Sequence, residues 1–173
     1  DHPHVDVEME LTSRRVDVLH DDIDLAIRTN FGVNEDSSII VRDVVKTTHC
    51  LVISPELLQG RTIEHVTQIN DYPTIVLGTQ KAHYHWHLHN LKYQDEIKIL
   101  LEPRIKSNDL AGVYYAVLDG LGIADLPYLT VKEDIEAGRL IHLLPDWCSN
   151  LGTVQLVYAS RKGQRLVMEK LIE

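Results

Sequence analysis

Four histidines alternate with other residues between positions 83 and 89, and no other part of the sequence offers metal ligands so densely. They are His83, His85, His87 and His89, with Trp86 in the middle of the run. On a β-strand all four imidazoles would share one face, where successive ones lie about 6.6–7 Å apart. That spacing is too wide for neighbours to share one ion unless the backbone bends, although a loop could gather them, with Asp95 or Cys148 assisting. A polar loop without metal is the interpretation we favour, so we predict neither a metal nor a cofactor.

The sequence carries none of the common catalytic patterns. It contains no nucleophile elbow (G-x-S-x-G), no zinc-protease helix (H-E-x-x-H) and no P-loop. Gly120-Leu121-Gly122 is similar to the start of a dinucleotide-binding loop, but Asp125 stands at the place of the third glycine, and the motif follows a predicted helix. We therefore predict a protein that is not an enzyme, in which Gly122 and Ile123 let the backbone approach a binding cleft.

A polar triplet, Ser107-Asn108-Asp109, precedes a predicted helix over residues 110–118. The free backbone N–H groups and the dipole at a helix N-terminus favour an anion, such as the carboxylate of a ligand. Side chains of these three types also cap helices, and capping alone explains their presence. The triplet is thus either part of a binding site or an ordinary helix start.

The composition indicates a globular chain with an acidic balance. Its 173 residues are 44% hydrophobic and 25% charged, enough for one domain or two small lobes. The formal net charge of −9 argues against nucleic acid as a partner of this chain itself. No apolar run reaches the ~20 residues that cross a bilayer, and the first four residues are too polar for a signal peptide. We predict a cytoplasmic protein without membrane contact, in which Cys50 and Cys148 are buried thiols.

The pattern of hydrophobic residues predicts strands that alternate with helices, which is typical of an α/β fold with largely parallel sheets. Strands are predicted at 5–11, 24–28, 39–45, 50–53, 72–77, 97–105, 122–126 and 154–158, and helices after Ser13, after Ser54, over 62–69 and 110–118, from a capping box of Thr130 and Glu133, and around 167–171. Thr29 and Asn30 follow the strand at 24–28, and open α/β sheets bind their ligands at such strand ends.

Several segments, in order along the chain, resemble the effector-binding domain of LysR-type transcriptional regulators. The matching segments are DLAIR at 24–28, LVISPELL at 51–58, ND at 108–109, GLGIADLP at 120–127, GRL at 138–140 with LLPDW at 143–147, and VY at 157–158 with SR at 160–161. Each segment is short, but their order and spacing cover nearly the whole chain. The chain is therefore identified as a member of that family.

The resemblance implies an α/β fold like that of type 2 periplasmic binding proteins, with two Rossmann-like lobes of mostly parallel sheet joined by two crossover strands. Lobe I would combine residues 1–52 with 154–173, and lobe II would be residues 53–153. A small organic effector, for which a small anion is favoured, would bind in the cleft between them. The residues expected to line the cleft are Thr29, Asn30, Thr48 and His49 on lobe I, and Ser107, Asn108, Asp109, Leu110, Gly122 and Ile123 on lobe II.

The resemblance also implies a homodimer, which becomes a tetramer in the full-length regulator, and DNA contact only through a winged helix-turn-helix domain that is absent from this sequence. We expect the first strand and helix of lobe I to be missing as well, the strand belonging between residues 5–11 and 23–28. Two alternatives remain open. One is a transporter's solute-binding protein, against which the polar start and the GLGIADLP segment argue; the other is a metal sensor or metal-dependent enzyme using the histidine run.

Overall fold

The computed structural model describes residues 4–12, 14–31, 38–78 and 84–159. The strands of this part are β1 (Ala26–Asn30), β2 (Ile39–Ile53), β3 (Thr74–Leu77), β4 (His85–Asn90), β5 (Glu96–Leu100), β6 (Ile105–Ser107), β7 (Ile123–Pro127), β8 (Ile141–Leu143), β9 (Trp147–Cys148) and β10 (Leu151–Ala159). The helices are α1 (Pro55–Leu58), α2 (Leu110–Leu118), α3 (Tyr128–Glu136) and a 3-10 helix at Val66–Asp71.

Strand β2 carries the chain across the larger of two sheets, whose order is β1-β10-β2-β7-β3-β6 with β8 also paired to β2. Residues 39–48 of β2 pair with β10, whereas residues 49–53 pair with β7 and β8. The strand therefore changes partners between Thr48 and His49. The two strands predicted at 39–45 and 50–53 are one strand of 15 residues, because the ladder with β10 continues through the polar residues between them.

The large sheet is mixed. Within the described strands, parallel pairing is confined to β6-β3-β7, while β1, β10, β2, β7 and β8 meet their other neighbours in antiparallel pairs. The expectation of mostly parallel sheets therefore applies to this end of the sheet and not to the sheet as a whole. The reason is that β2 and β10, the two long strands, run side by side in opposite directions.

Two hydrophobic clusters cover the two faces of the central strands. Leu51 and Ile53 of β2 point to one face, and Cys50 and Val52 point to the other, as the period of two in a strand requires. The first cluster is closed by the small antiparallel sheet β5-β4-β9, which contributes Trp86, Leu88 and Ile99. The second is closed by α2 and α3, which contribute Val113, Val117 and Val131.

Helix ends follow local sequence rules at two of the predicted positions. The Ser54 hydroxyl accepts a hydrogen bond from the Leu57 amide at 3.2 Å, with Pro55 in the first turn of α1. The helix at 110–118 is confirmed as α2, and Gly120 after it has a φ of +71°, the left-handed conformation that favours glycine. Short-range capping signals therefore predicted these two helices correctly.

Other predicted elements differ from the structure. Residues 5–11 form no strand, and the large side chains of that segment are exposed. Among the described strands, β1 is at one end of the large sheet with β10 as its neighbour, and the alternating segment at 5–11 pairs with none of them. No helix forms in residues 14–23, where the Asp17 and Asp21 side chains instead accept hydrogen bonds from backbone amides in turns.

Two helix starts also differ. Helix α3 begins at Tyr128, directly after β7 ends at Pro127, so Thr130 lies in its first turn and the predicted capping box does not form. The helix predicted at 62–69 is a 3-10 helix at Val66–Asp71, held by the Gln68 side chain, which accepts from the His65 amide at 2.9 Å. The predicted cap at Ser13, the histidine at 83 and the final helix around 167–171 lie outside the described residues.

Both cysteines are free and buried, which confirms the prediction of buried thiols. Burial, with a smaller contribution from the negative charge of Asp125, raises the pKa of the Cys50 thiol to about 12. The thiol is therefore protonated at neutral pH and unsuited to act as a nucleophile. Within the described part of the chain, no helix has both the length and the hydrophobicity that a membrane span requires.

Candidate functional site

The two long strands meet at the point where β2 changes partners. The backbone amide of His49 donates a hydrogen bond to the carbonyl oxygen of Asn150 at 3.0 Å. The Thr48 hydroxyl donates to the same carbonyl oxygen, also at 3.0 Å. Because Asn150 directly precedes β10, these bonds join β2 to the start of β10 at the position where β2 changes partners.

A carboxylate from a third strand completes this contact. Asp125 of β7 accepts from the Ser149 hydroxyl at 2.5 Å, and the same oxygen, Oδ2, lies 3.2 Å from His49 Nδ1. The Asn150 side-chain amide donates to Ser149 Oγ at 3.2 Å. The side chains of His49 and Asp125 are only 11% and 9% exposed. We refer to Thr48, His49, Asp125, Ser149 and Asn150 as the crossover cluster.

One oxygen of this buried carboxylate is unsatisfied. Asp125 Oδ1 is buried and accepts no hydrogen bond from the described residues. Leaving a buried acceptor without a donor costs roughly 1–3 kcal/mol, and more when it carries charge. Such atoms are rare in folded proteins. The atom is therefore the place in the crossover cluster where a donor group of a ligand has most to gain.

The crossover cluster contains a serine, a histidine and an aspartate, but not in the arrangement of a hydrolase triad. In a triad the serine donates to the histidine, and the other histidine nitrogen donates to the carboxylate. Here Ser149 and His49 both contact the same oxygen of Asp125. This arrangement holds three chain segments together and does not activate the serine hydroxyl through an imidazole.

The end of β1 lies against the crossover cluster. A Cβ placed on Gly152 would come within 2.8 Å of both Thr29 Cγ2 and the ring of Phe31, so these side chains cover the bare α-carbon. The Phe31 ring in turn meets the His49 ring edge-on, with centroids 5.4 Å apart. Asn30 pairs with Thr153 in the ladder between β1 and β10. The predicted lobe I residues are thus brought together at one place.

The N-terminus of α2 is closed by its own cap. The two carboxylate oxygens of Asp109 accept from the amides of Ala111 and Gly112 at 3.2 and 3.1 Å. Ser107 Oγ accepts from the Asp109 amide at 3.0 Å, while Asn108 is exposed. The prediction of an anionic effector depended on free amides at this end. Asp109 takes two of them and places a negative charge where the anion would lie.

Gly122 and Ile123 belong to the core. A Cβ on Gly122 would lie 2.8 Å from the carbonyl oxygen of Pro73 and 2.9 Å from Ile75 Cγ1. The Ile123 amide donates to the same Pro73 carbonyl at 2.8 Å, and its side chain is fully buried in the first hydrophobic cluster. The glycine therefore permits close packing of the start of β7 against the residue before β3, and the Ile123 side chain is part of the core.

The two groups of predicted residues lie at the same edge of the large sheet. The parallel strands β6, β3 and β7 all end there, at Ser107, Leu77 and Pro127, and His49 of β2 pairs with Pro127. Three strand spacings separate β6 from β2, so Ser107 is roughly 14 Å from His49 across the sheet. Open α/β sheets bind ligands along such an edge.

Sequence reasoning missed the residues that join the predicted ones. In the sequence, Asp125 appears as a mismatch to a nucleotide-binding motif and as part of the GLGIADLP segment, with no binding role, and no pattern marks Phe31, Ser149, Asn150 or Gly152. One signal was available for Asp125, since it is the only charged residue within the apolar segment at 121–128. A single acid in a strand whose neighbours Ala124 and Leu126 are buried requires a polar partner.

The histidine run lies elsewhere, on the small sheet. His85, His87 and His89 belong to β4, whose intervening residues Trp86 and Leu88 are buried. Residues 85–90 therefore form a strand with the alternation that a strand predicts, and the polar loop that we favoured does not form over them. None of these histidines belongs to the crossover cluster, although His89 pairs with Cys148 of β9, the residue before Ser149.

The chain crosses the large sheet twice, helices cover one face of the sheet, and polar residues meet where the two crossing strands join. This arrangement defines a protein of the two-lobe class typified by periplasmic binding proteins. The family model for the LysR substrate binding domain matches residues 1–173. The chain belongs to this family, whose members are effector-sensing regulatory domains. The predicted family, the two-lobe α/β fold class and the role of a regulatory domain are confirmed.

Individual relatives agree with this assignment. An uncharacterized HTH-type transcriptional regulator of Haemophilus influenzae is 27% identical over 162 residues, which are 93% of this chain and 55% of that protein. The HTH-type transcriptional regulator PtxR of Pseudomonas aeruginosa is 28% identical over 172 residues, 99% of this chain and 54% of that protein. The chain thus spans about half the length of the curated relatives it matches. These relatives are regulators and not enzymes, and they do not favour the alternative of a transporter's solute-binding protein.

A solved structure shows the same fold. The regulatory domain of AphB from Vibrio vulnificus superposes with a TM-score of 0.76 at 26% identity, covering 96% of this chain and 82% of that one.

Proposed function

We propose that this chain senses a small organic effector at the junction of two lobes, residues 1–52 with 154–173 and residues 53–153. The change of partners in β2 between Thr48 and His49 supports a boundary near this position. The output would be DNA binding by a winged helix-turn-helix domain outside this chain, in a cytoplasmic homodimer that forms tetramers when full-length. The proposal includes no cofactor and no catalytic step.

The observation that carries the proposal is the shared carboxylate of Asp125. It contacts His49, where β2 enters the second lobe, and Ser149, just before β10 returns to the first. Both connections between the proposed lobes therefore contact one side chain. A change in what Asp125 binds alters both connections at once.

The mechanism is a shift between lobe arrangements. An effector that donates a hydrogen bond to Asp125 Oδ1 satisfies an acceptor that the described residues leave unpaired. That contact stabilises the lobe arrangement in which Asp125 Oδ1 is accessible to the effector. The stabilisation equals the difference between the effector's binding free energies for the two lobe arrangements. The aromatic and methyl surfaces of Phe31 and Thr29, which lie against His49 and Gly152, offer an apolar wall for such an effector.

The polarity of the cluster favours an effector that presents a donor, such as a hydroxyl or amine group. An anionic group on the same molecule would have to avoid both Asp125 and the capping carboxylate of Asp109. Of the residues predicted for lobe II, Asn108 and Asp109 are exposed, and Asp109 is occupied as the cap of α2. We propose Asn108 as a contact for the distal end of the effector.

Dimer formation and the lack of intrinsic DNA affinity complete the proposal. The side chains of Val7, Met9 and Leu11 are 79%, 77% and 89% exposed, and Tyr115 of α2 is 63% exposed. These are the segments that the resemblance places at a dimer seam, and apolar surface of this kind supports burial against a second copy. With a net charge of −9 the chain alone should not bind duplex DNA.

The test is a thermal-shift screen of organic acids, amino acids and small aromatic compounds against the wild-type chain. Compounds that raise the melting temperature are then titrated against Asp125→Asn, which keeps the shape but replaces an acceptor oxygen with an amide nitrogen. We expect at least a tenfold loss of affinity, the equivalent of ~1.4 kcal/mol. Asp146→Asn, an exposed carboxylate paired with Lys92 at 2.7 Å, is the control and should bind as wild type. Equal affinity of both variants would place the effector elsewhere.

A further inference from the structure

The outer face of the small sheet brings two imidazoles and a carboxylate together. His89 of β4 is directly opposite Glu96 of β5 in the antiparallel register, and His87, two residues earlier on the same face, is opposite Lys98. Residues two apart on a strand share a face, and opposite residues are its closest neighbours across the ladder. The sequence offers the histidines, and the strand register adds Glu96 as the third ligand. The sequence had suggested Asp95 or Cys148 for that role.

The distances within this group suit a single metal ion. His89 Nδ1 lies 3.1 Å from Glu96 Oε1, and His87 Nε2 lies 3.2 Å from Glu96 Oε2. One ligand atom from each of the three residues can be chosen so that all lie within 4.8 Å of one another. Tetrahedral zinc with bonds of 2.0–2.1 Å holds its ligand atoms about 3.3 Å apart. The two imidazole centroids are 4.5 Å apart, so the orientation of the side chains, without a break in the strand register, brings the rings closer than their spacing along the strand.

The backbone beneath these side chains is held in place. Trp86 and Leu88 alternate with the histidines and are 7% and 0% exposed, packed into the first hydrophobic cluster. Strand β4 is also paired on both sides, to β5 and β9. Ligands carried on a rigid strand lose little conformational freedom on binding, which favours metal affinity.

The chemistry of the donors selects the class of metal. Neutral imidazoles with one carboxylate suit zinc and neighbouring divalent transition metals, whereas calcium and magnesium prefer oxygen ligands. All three side chains are substantially exposed, so water can occupy the remaining coordination positions. Lys98, beside His87, opposes an added positive charge and limits the affinity.

We propose that His87, His89 and Glu96 bind one zinc-like divalent ion on the outer face of the small sheet, with water completing its coordination. The site is separate from the crossover cluster and does not depend on the proposed effector function. The ion joins β4 to β5 and so stabilises this hairpin.

The test is calorimetric titration of the purified chain with zinc chloride at pH 7.5, with the melting temperature measured alongside. We expect one ion per chain, with a dissociation constant in the micromolar range and a higher melting temperature in its presence. His89→Ala and Glu96→Gln should each weaken binding at least tenfold, since each removes a ligand. Affinity should also fall at acid pH, because a protonated imidazole cannot ligate.

His85→Ala is the matched control, because His85 lies on the same strand and face but outside the group of three. It should bind zinc as wild type does. If His85→Ala weakens binding as much as His89→Ala, the histidines attract zinc without forming a site, and the proposal is overturned. Absence of binding below millimolar zinc overturns it too, and leaves a metal-free group of hydrogen bonds. Melting curves without metal show whether each variant is folded.

Discussion

The crossover cluster and the histidine group on β4 are both built from histidine and a carboxylate, yet they differ in burial and in how the chain assembles them. His49 and Asp125 are 76 residues apart and nearly buried, while His89 and Glu96 are seven residues apart on one hairpin and exposed. Water can replace every contact of the exposed group, so its bonds add little to stability. In the buried group each lost bond leaves an unsatisfied polar atom.

This difference separates two ways of responding to a ligand. A ligand at the buried group changes the contacts between segments that are far apart in sequence, and so can alter the arrangement of lobes. A ligand at the exposed group only joins two strands that are already paired. Coupling to the rest of the molecule is therefore expected from the first and not from the second.

The largest expected effect comes from removing the buried carboxylate. Asp125→Ala leaves the imidazole of His49 and the hydroxyl of Ser149 without their acceptor, and we expect the free energy of unfolding to fall by about 2–4 kcal/mol. Glu96→Ala, measured without metal, should be indistinguishable from wild type. Urea denaturation of the two variants provides the measurement. Similar losses in both would remove the distinction between the two groups.

A smaller loss is expected from Gly152→Ala, which tests whether β1 is part of the crossover cluster. The new methyl group would lie 2.8 Å from the Phe31 ring and from Thr29 Cγ2, so both side chains must shift, at a cost of about 1–2 kcal/mol. In Phe31→Ala the cost of the same substitution should be reduced, because the ring is gone. Additive effects in this double-mutant cycle would contradict the contact.

Asp109 and Asn108 distinguish capping from binding. Asp109→Ala removes the acceptor of two helix amides and should cost about 1 kcal/mol of stability. Asn108→Ala should change the melting temperature less, but lower the affinity for an effector found in the screen by about tenfold. Normal binding by Asn108→Ala, combined with a much lower melting temperature, would show that the residue is structural.

The smallest effect concerns pH. Burial lowers the pKa of His142 in β8, and its Nε2 accepts or donates no hydrogen bond among the described residues. A histidine whose folded pKa lies below its ordinary value of 6.5 contributes stability above that pH and loses it as the pH falls further. The melting temperature should therefore decrease between pH 7 and pH 5, and less steeply in His142→Gln. An identical slope in the variant would assign the decrease to other groups.

The parts of the fold that follow local rules were predicted from sequence. The starts of α1 and α2 depend on Ser54 and Asp109 bonding to amides two or three residues away, and the sequence displays both partners together. The family resemblance supplied the two-lobe architecture and located Thr29, Thr48 and His49. It did not show that Asp109 would close the helix end that an anion was expected to use.

What the sequence by itself determined was the family, the capped helices and the alternation that points three histidines of β4 to one face. The tertiary structure alone decided which distant groups meet: Asp125 with His49 and Ser149, and Glu96 with His87 and His89. The physical reason is range. A helix cap acts within one turn of chain, whereas the register between strands is set by packing of the whole core, and a shift of one residue would send each of these side chains to the opposite face.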